Sequence, residues 1–367
     1  FVDSIQDTDE TKEEIETRLG FKLRFIQEVK DHESLITDEL HDLAMWLKEN
    51  TLSTTISCFQ TMLPSKLKPT TNDKTIVKEK WVKLTNEEVS LTTKQLEAYL
   101  YAREHQPLTY TALRKVYPGQ ARALIEKNAI LLEEKEREAA DDVNINIESA
   151  LQLTPLQQSA MDEINNSQDE VYLLHGITGS GKTEVYLQLA AQALLQHKQV
   201  LILVPEISLT PQMIHRVSSR FGHALAIYHS GLSDQEKYEQ YRKVKTGKAS
   251  IVVGTRSAVF LPFQNLGLIV MDEEHDNSYK QENQPAYHCR DVAIWRGRYH
   301  HCKVILGSAT PALESYARAL KNVYHLVKMN ERINQSLPNI QLVSIKDSIN
   351  CLLYTSPSPR DRQKSRM

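Results

Sequence analysis

An α/β fold with a parallel sheet is predicted for the larger, C-terminal part of this chain, preceded by a small winged-helix-like unit and part of an α+β module. Three observations predict it. Short apolar runs alternate with helix-length stretches between residues 150 and 350. A glycine-rich octapeptide joins the first run to the helix after it. Acidic and hydroxyl-bearing tetrapeptides close two later runs, and in open α/β sheets ligands gather at the carboxyl ends of the strands.

The chain's 367 residues are enough for two or three domains. At 41% hydrophobic and 25% charged, its composition is that of an ordinary globular protein rather than a disordered one. A formal net charge of −3 excludes a chain-wide basic polymer binder and leaves room for a local basic track. Cys58, Cys289, Cys302 and Cys351 are scattered without a CxxC pair. They specify neither a zinc knuckle nor a disulfide framework, and they read as reduced cytosolic thiols. No apolar run approaches the roughly 18 residues that cross a bilayer, and no signal-peptide pattern is present. A cytoplasmic protein without a membrane partner is expected. The first residue is Phe1, so the natural start is expected upstream. Residues 351–367 carry two Ser-Pro steps and four Lys or Arg against one Asp. They read as a disordered or foreign extension in preference to a basic nucleic-acid tail, and are left out of the fold.

Residues 1–85 form the first part. Residues 1–50 hold fourteen Asp or Glu and six Lys or Arg. Leu35, Leu40, Leu43, Ala44 and Leu47 recur at helical spacing, with Thr37 placed to cap that helix. The β-branched and aromatic run Thr54–Phe59 reads as a strand, broken off by Pro64 and Pro69. Residues 86–148 form the second part. Thr92 precedes a helix with Leu96, Tyr99 and Leu100 on one face. Tyr110–Val116 makes a second helix, stopped at Pro118-Gly119, and Ala121, Leu124 and Ile125 belong to a third. With the strand-like Ile130–Leu132 after them, these suggest a winged helix, or a spacer of the same shape. Glu133–Asp142 reads as a charged linker.

Residues 149–350 hold six strand-like runs: Val171–Leu174, Val200–Val204, Ala224–Tyr228, Ile251–Val253, Leu268–Met271 and Val304–Leu306. Thr183–Gln196, Leu209–Phe221 and Asp234–Thr246 fit helices between them. Gly176-Ile177-Thr178-Gly179-Ser180-Gly181-Lys182-Thr183 matches GxxxxGK[ST] without a departure, in the strand-then-helix context the motif requires. Its glycines let main-chain amides curl around a phosphate, and the helix N-terminus adds a favourable dipole. Lys182 is placed for the β- and γ-phosphates of ATP, and Thr183 for Mg²⁺. Val270-Met271-Asp272-Glu273-Glu274-His275 ends a later strand; Asp272 would hold Mg²⁺ and Glu273 would orient and activate water. Gly307-Ser308-Ala309-Thr310 is either a hydrogen-bonding relay or a plain serine–threonine turn. Gln157 can read adenine, and an N-cap at Thr154 with Pro155 at the first helical position accounts for the segment equally well; the two are compatible.

The order of these motifs resembles the superfamily 2 helicases. HGITGSGKTEVYL, HSGLS, DEEHDNSYKQ, YHCRDVA and GSATPALES together resemble the primosomal replication-restart helicase family, over nearly all of residues 20–350. The resemblance implies a RecA-like first helicase lobe over 149–350, the end of a 3′-DNA-binding domain in 1–85 and a winged helix between them. It also implies ATP- and Mg²⁺-dependent 3′→5′ unwinding of forked and single-stranded DNA in replication restart, with other primosome proteins as partners. Gly176, Thr178, Gly179, Ser180, Gly181, Lys182, Thr183 and Gln157 would bind nucleotide, and Asp272 and Glu273 would serve hydrolysis. Tyr279, Lys280, Tyr287, His288 and Arg290 fall in the family's aromatic-rich loop, with flat faces for bases and cations for phosphates. Thr255 and Arg256 would meet the DNA backbone. Ala286 stands where a basic residue is expected and Cys289 where a small apolar one is. The family's zinc-binding module and second helicase lobe are expected after residue 350, so this chain is expected to bind no Zn²⁺ and to turn over weakly. Two other readings stay open: a duplex translocase that does not separate strands, and a DNA-binding module without motor activity.

Overall fold

The computed structural model describes residues 11–20, 22, 34–68, 78–85, 89–136 and 151–332. The linker beyond Glu136 and the extension 351–367 lie outside the described residues, as does most of the segment before Ser34 in which part of the family resemblance falls.

A seven-stranded sheet organises the C-terminal part. Its strands are β3 (Val171–Gly176), β4 (Gln199–Leu203), β5 (Leu225–Tyr228), β6 (Ile251–Gly254), β7 (Leu266–Met271), β8 (Lys303–Ser308) and β9 (His325–Met329). Their spatial order is β5-β6-β4-β7-β8-β3-β9, and every neighbouring pair is parallel. The six predicted strands are all present; β9 is the addition. Alternation along each strand feeds two cores. Leu173, Leu201, Val252, Ile269 and Leu306 point to one face, and Leu174, Ile202, Val253, Val270 and Ile305 to the other. This is why the runs read as continuously apolar: both faces are covered. The second face carries α7 (Pro155–Asn166), α8 (Lys182–Leu195) and α9 (Pro211–Phe221). The first carries α10 (Asp234–Lys245), α11 (Cys289–Tyr299) and α12 (Leu313–Leu320).

The N-terminal segment shares that first core. Helix α1 (Lys12–Leu19) is followed by α2 (Asp38–Thr51), capped by Thr37, whose hydroxyl accepts from the Leu40 amide. Thr54–Phe59 is not a strand. It begins α3 (Thr55–Met62), because the Thr54 hydroxyl caps the Ser57 amide and Cys58, Phe59 and Met62 pack onto the Leu40–Leu47 face of α2. Tertiary packing outweighs the β-propensity of the run. Helix α2 is pinned to α11 by a buried ion pair. The fully buried Arg296 donates from Nε and Nη2 to the two oxygens of Glu39, at 2.5 and 2.6 Å. Its Nη1 donates to the Val259 and Leu261 carbonyls. Burial alone would raise the Glu39 carboxyl, but Arg296 and His300 override it and bring it down to about 2. Tyr241 and Lys245 of α10 donate to the Leu35 and Ser34 carbonyls.

The middle unit has its own core of Val82, Ala98, Ala102, Leu108, Leu113, Leu124 and Ile130. Helices α4 (Thr93–Glu104), α5 (Tyr110–Val116) and α6 (Pro118–Glu126) pack with β2 (Ile130–Glu136) and an antiparallel partner, β1 (Lys78–Leu84). The expected boundary at residue 86 therefore falls too late, since β1 belongs to this unit. The linker also begins later than expected, because Glu133–Glu136 complete β2. On α4 the buried face is Ala98 and Ala102, with Leu96 left 46% exposed. Small side chains, rather than the leucines, allow the close approach here.

At the far edge, His325 of β9 lies 2.7 Å from Asp169 and 2.8 Å from Glu163. Burial opposes the charged ring, but the two carboxylates outweigh it and its pKa is raised.

Two outcomes are expected. Glu39→Ala strands a buried guanidinium and should cost about 3–5 kcal/mol in urea unfolding; Arg296→Leu added to it should cost less than the two separate losses summed. The His325 contribution should be fully present below pH ~6.5 and fade as pH rises through its raised pKa. The melting-temperature gap between the parent chain and His325→Gln should therefore narrow from pH 5.5 to pH 9.

Candidate active site

The glycine-rich loop runs from the end of β3 into α8. Gly179 and Gly181 take φ of +82° and +81°, a conformation that side-chain-bearing residues enter with strain. This turns the chain back so that α8 starts at Lys182 with no capping side chain on its first amides. Such an end is an anion site by geometry and dipole. Lys182 is buried and its ammonium donates to the Gly176 carbonyl at 2.7 Å. Thr178 and Gly179 are exposed at the tip, and Thr183 is half-buried in the first turn. The buried Ser180 hydroxyl has no protein partner among the described residues. An uncapped helix end, an unpaired hydroxyl and a positively charged side chain all converge on one cradle, and these donors fit a nucleotide phosphate.

Gln157 backs this loop. Its Oε1 accepts from the Thr154 amide at 2.9 Å, and its Nε2 lies 3.3 Å from both the Ser180 and Gly181 carbonyls. Its donor and acceptor are thus both committed within the protein. The helix-cap reading holds, and in this arrangement the amide does not face outward to read a base.

Asp272 and Glu273 follow β7. Because β3, β8 and β7 are parallel neighbours, these acids emerge at the same edge of the sheet as the loop. Burial, and then the adjacent Glu273 charge, raise the Asp272 carboxyl to about 6, while the Lys182 ammonium pulls the other way. A half-buried carboxylate beside a second one is a site that a dication relieves. Among the described residues there is no group of three or more metal-ligating side chains. Mg²⁺ keeps waters and phosphate oxygens as most of its ligands. The Thr183 hydroxyl and Asp272 would hold it, and the charge it supplies would offset that of the phosphates.

The next two residues tie this turn to the end of β8. Glu274 is fully buried and caps α12, accepting from the Ala312 amide at 2.7 Å and the Ser315 hydroxyl at 2.8 Å. His275 Nδ1 lies 2.8 Å from the Ser308 hydroxyl, and its Nε2 3.4 Å from that of Thr310. Ser308 also accepts from the Thr310 amide at 3.0 Å, which is the serine–threonine turn. The roles of Glu274 and His275 were not singled out from sequence. Their signal was their place directly after Asp272-Glu273.

The expected DNA-contacting residues divide. Tyr279 is fully buried and its hydroxyl donates to the Asp272 carbonyl at 2.7 Å. Tyr287 is buried edge-on against Phe260. Arg290 is buried against Ser315 and Glu274. These three are corrections: in this structure neither tyrosine shows a face to bases, and Arg290 is not free for a phosphate. The run mixes aromatic and basic residues for packing as much as for display. Thr255 is likewise buried. Lys280 is exposed, and Arg256 and His288 are half-buried. Arg256 Nη1 donates to the Ser278 and Lys280 carbonyls at 3.1 and 2.6 Å and so closes the loop. Cys289 fills the small buried position expected of an apolar residue, which accommodates that departure.

Residues 154–319 match the DEAD/DEAH box helicase family, and residues 4–64 match the 3′ DNA-binding domain family. The chain is 49% identical over 222 residues to the replication restart protein PriA of Bacillus subtilis. That match covers 59% of this chain and 28% of the relative. To PriA of Synechocystis it is 44% identical over 245 residues, 64% of this chain and 30% of the relative. Over these residues the chain resembles the PriA proteins. It spans less than a third of the length of these relatives. Among solved structures, RecG bound to a three-way DNA junction is similar at 21% identity and a TM-score of 0.42. It covers 72% of this chain and 38% of that one. No described helix is long and apolar enough to cross a membrane.

Proposed function

We propose that this chain carries the ATP-binding lobe of a 3′→5′ DNA helicase of replication restart, together with part of its 3′-DNA-binding domain and a winged-helix-like domain. One observation supports this above the others: the uncapped start of α8, with Lys182, shares one sheet edge with Asp272 and Glu273. Lys182 would move from the Gly176 carbonyl to the β- and γ-phosphates, Thr183 and Asp272 would hold Mg²⁺, and Glu273 would take the proton of the attacking water. Lys280, Arg256 and His288 are the accessible candidates for DNA contact. Forked and single-stranded DNA are the proposed substrates, with other primosome proteins as partners in the cytoplasm.

The residues described supply one side of a hydrolytic centre. Cations reaching the γ-phosphate from a second lobe are worth ~10³–10⁵ in rate in comparable systems. The chain is therefore expected to bind a fluorescent ATP analogue with Mg²⁺, to lose at least about tenfold (~1.4 kcal/mol) in affinity on Lys182→Ala, and to hydrolyse ATP slowly in single-turnover mixing with or without forked DNA. Brisk DNA-stimulated turnover would refute the half-site. Fork binding indifferent to both nucleotide and Lys182→Ala would leave a DNA-binding module instead.

A further inference from the structure

The turn carrying the two catalytic carboxylates is strained. Glu273 has φ of +45°, the left-handed region that a residue with a side chain enters at a cost of roughly 1–2 kcal/mol. Main-chain bonds hold it in part: the Asp272 amide donates to Leu203, the Glu274 amide to Gly307 and the Asp276 amide to Glu273. Two side chains complete the hold. The Tyr279 hydroxyl donates to the Asp272 carbonyl at 2.7 Å, on the very peptide that links Asp272 to Glu273. The Tyr186 hydroxyl lies 3.3 Å from Asp272 Oδ1. Tyr186 sits one helical turn beyond Lys182, and Tyr279 lies in the loop closed by Arg256.

Both phenols are buried, at 1% and 0% exposure. A phenylalanine would fill the same space, so what tyrosine adds is the hydroxyl, and a buried hydroxyl needs a partner. In each case that partner is Asp272. The approach of Tyr186 also accounts for Gly307. A Cβ there would sit 1.5 Å from the Tyr186 hydroxyl, so any side chain at 307 would push the phenol off the carboxylate.

We propose that Tyr186 and Tyr279 are positioning residues that brace the Asp272–Glu273 peptide from two sides, one at the carboxylate and one at the carbonyl, and so aim both acids at the phosphate loop. The consequence for nucleotide rests on the hydrolytic reading above, while the brace itself rests on the geometry. Tyr279 is thereby moved from a base-stacking role to a structural link. Tyr279 gives the loop that Arg256 closes a direct side-chain link to the catalytic peptide.

The test uses the whole chain with Tyr186→Phe, Tyr279→Phe, both together, and Gly307→Ala. Hydrogen exchange without nucleotide should be about fivefold faster at the amides of residues 272–276 in each variant, with α10 and β9 unchanged. Affinity for a fluorescent ADP analogue without Mg²⁺ should stay within about twofold, while the gain from Mg²⁺ should shrink about fivefold in Tyr186→Phe. Single-stranded DNA affinity should be unchanged in Tyr279→Phe. Unaltered exchange at 272–276 in both phenylalanine variants would overturn the brace. Faster exchange with an intact Mg²⁺ gain in Tyr186→Phe would overturn its positioning role. Faster exchange in the variants of a chain that binds no nucleotide at all would sink the hydrolytic reading and leave the brace standing.

Discussion

One ammonium group sets the arrangement of the whole edge. Lys182 is buried, donates to the carbonyl at the start of its own loop, and is close enough to Asp272 to oppose the rise of that acid's pKa. A buried cation and a half-buried pair of carboxylates are each costly alone. Set at one sheet edge, they partly offset each other, and they leave a cleft whose unmet electrostatic demand is for an anion at the helix start and a dication at the acids. The uncapped first turn of α8 and the unpaired Ser180 hydroxyl point into the same demand.

The sheet makes that juxtaposition durable. Every strand runs the same way, so every loop of interest leaves from one edge, and two packed faces fix the spacing between β3 and β7. The contacts around Asp272–Thr310 then link the loops to one another. Glu274 caps α12, His275 reaches Ser308 and Thr310, and Tyr186 and Tyr279 meet at Asp272. The buried Glu39–Arg296 pair extends this frame to the N-terminal helices, because Arg296 also holds the carbonyls of Val259 and Leu261, just beyond Arg256. The N-terminal helices and the sheet share a core, so they can shift together instead of independently.

Much of this was legible from residue order. The phosphate loop and the acids after β7 obey local rules of backbone conformation and periodicity, and so does each of the six strands. What stayed hidden depends on long-range packing. Thr54–Phe59 has the composition of a strand, yet α2 offers a helical face for Cys58 and Phe59. Tyr279, Tyr287 and Arg290 look like a display of aromatic and basic groups. Only the fold reveals that Asp272, Phe260 and Glu274 already occupy them. Composition tells which chemistry a loop could offer, not which way its side chains turn. Strand β1 was missed because its pairing partner lies some fifty residues away.

The central claim is that Lys182 and Asp272 face a common nucleotide and metal. A crystal structure of the chain with Mg²⁺ and a non-hydrolysable ATP analogue tests it most directly. The account predicts that the Lys182 ammonium leaves the Gly176 carbonyl for the β- and γ-phosphates, with the metal between the Thr183 hydroxyl and the Asp272 side of the cleft. A nucleotide seated elsewhere, with Lys182 still on Gly176 and the metal remote from Asp272, would contradict it.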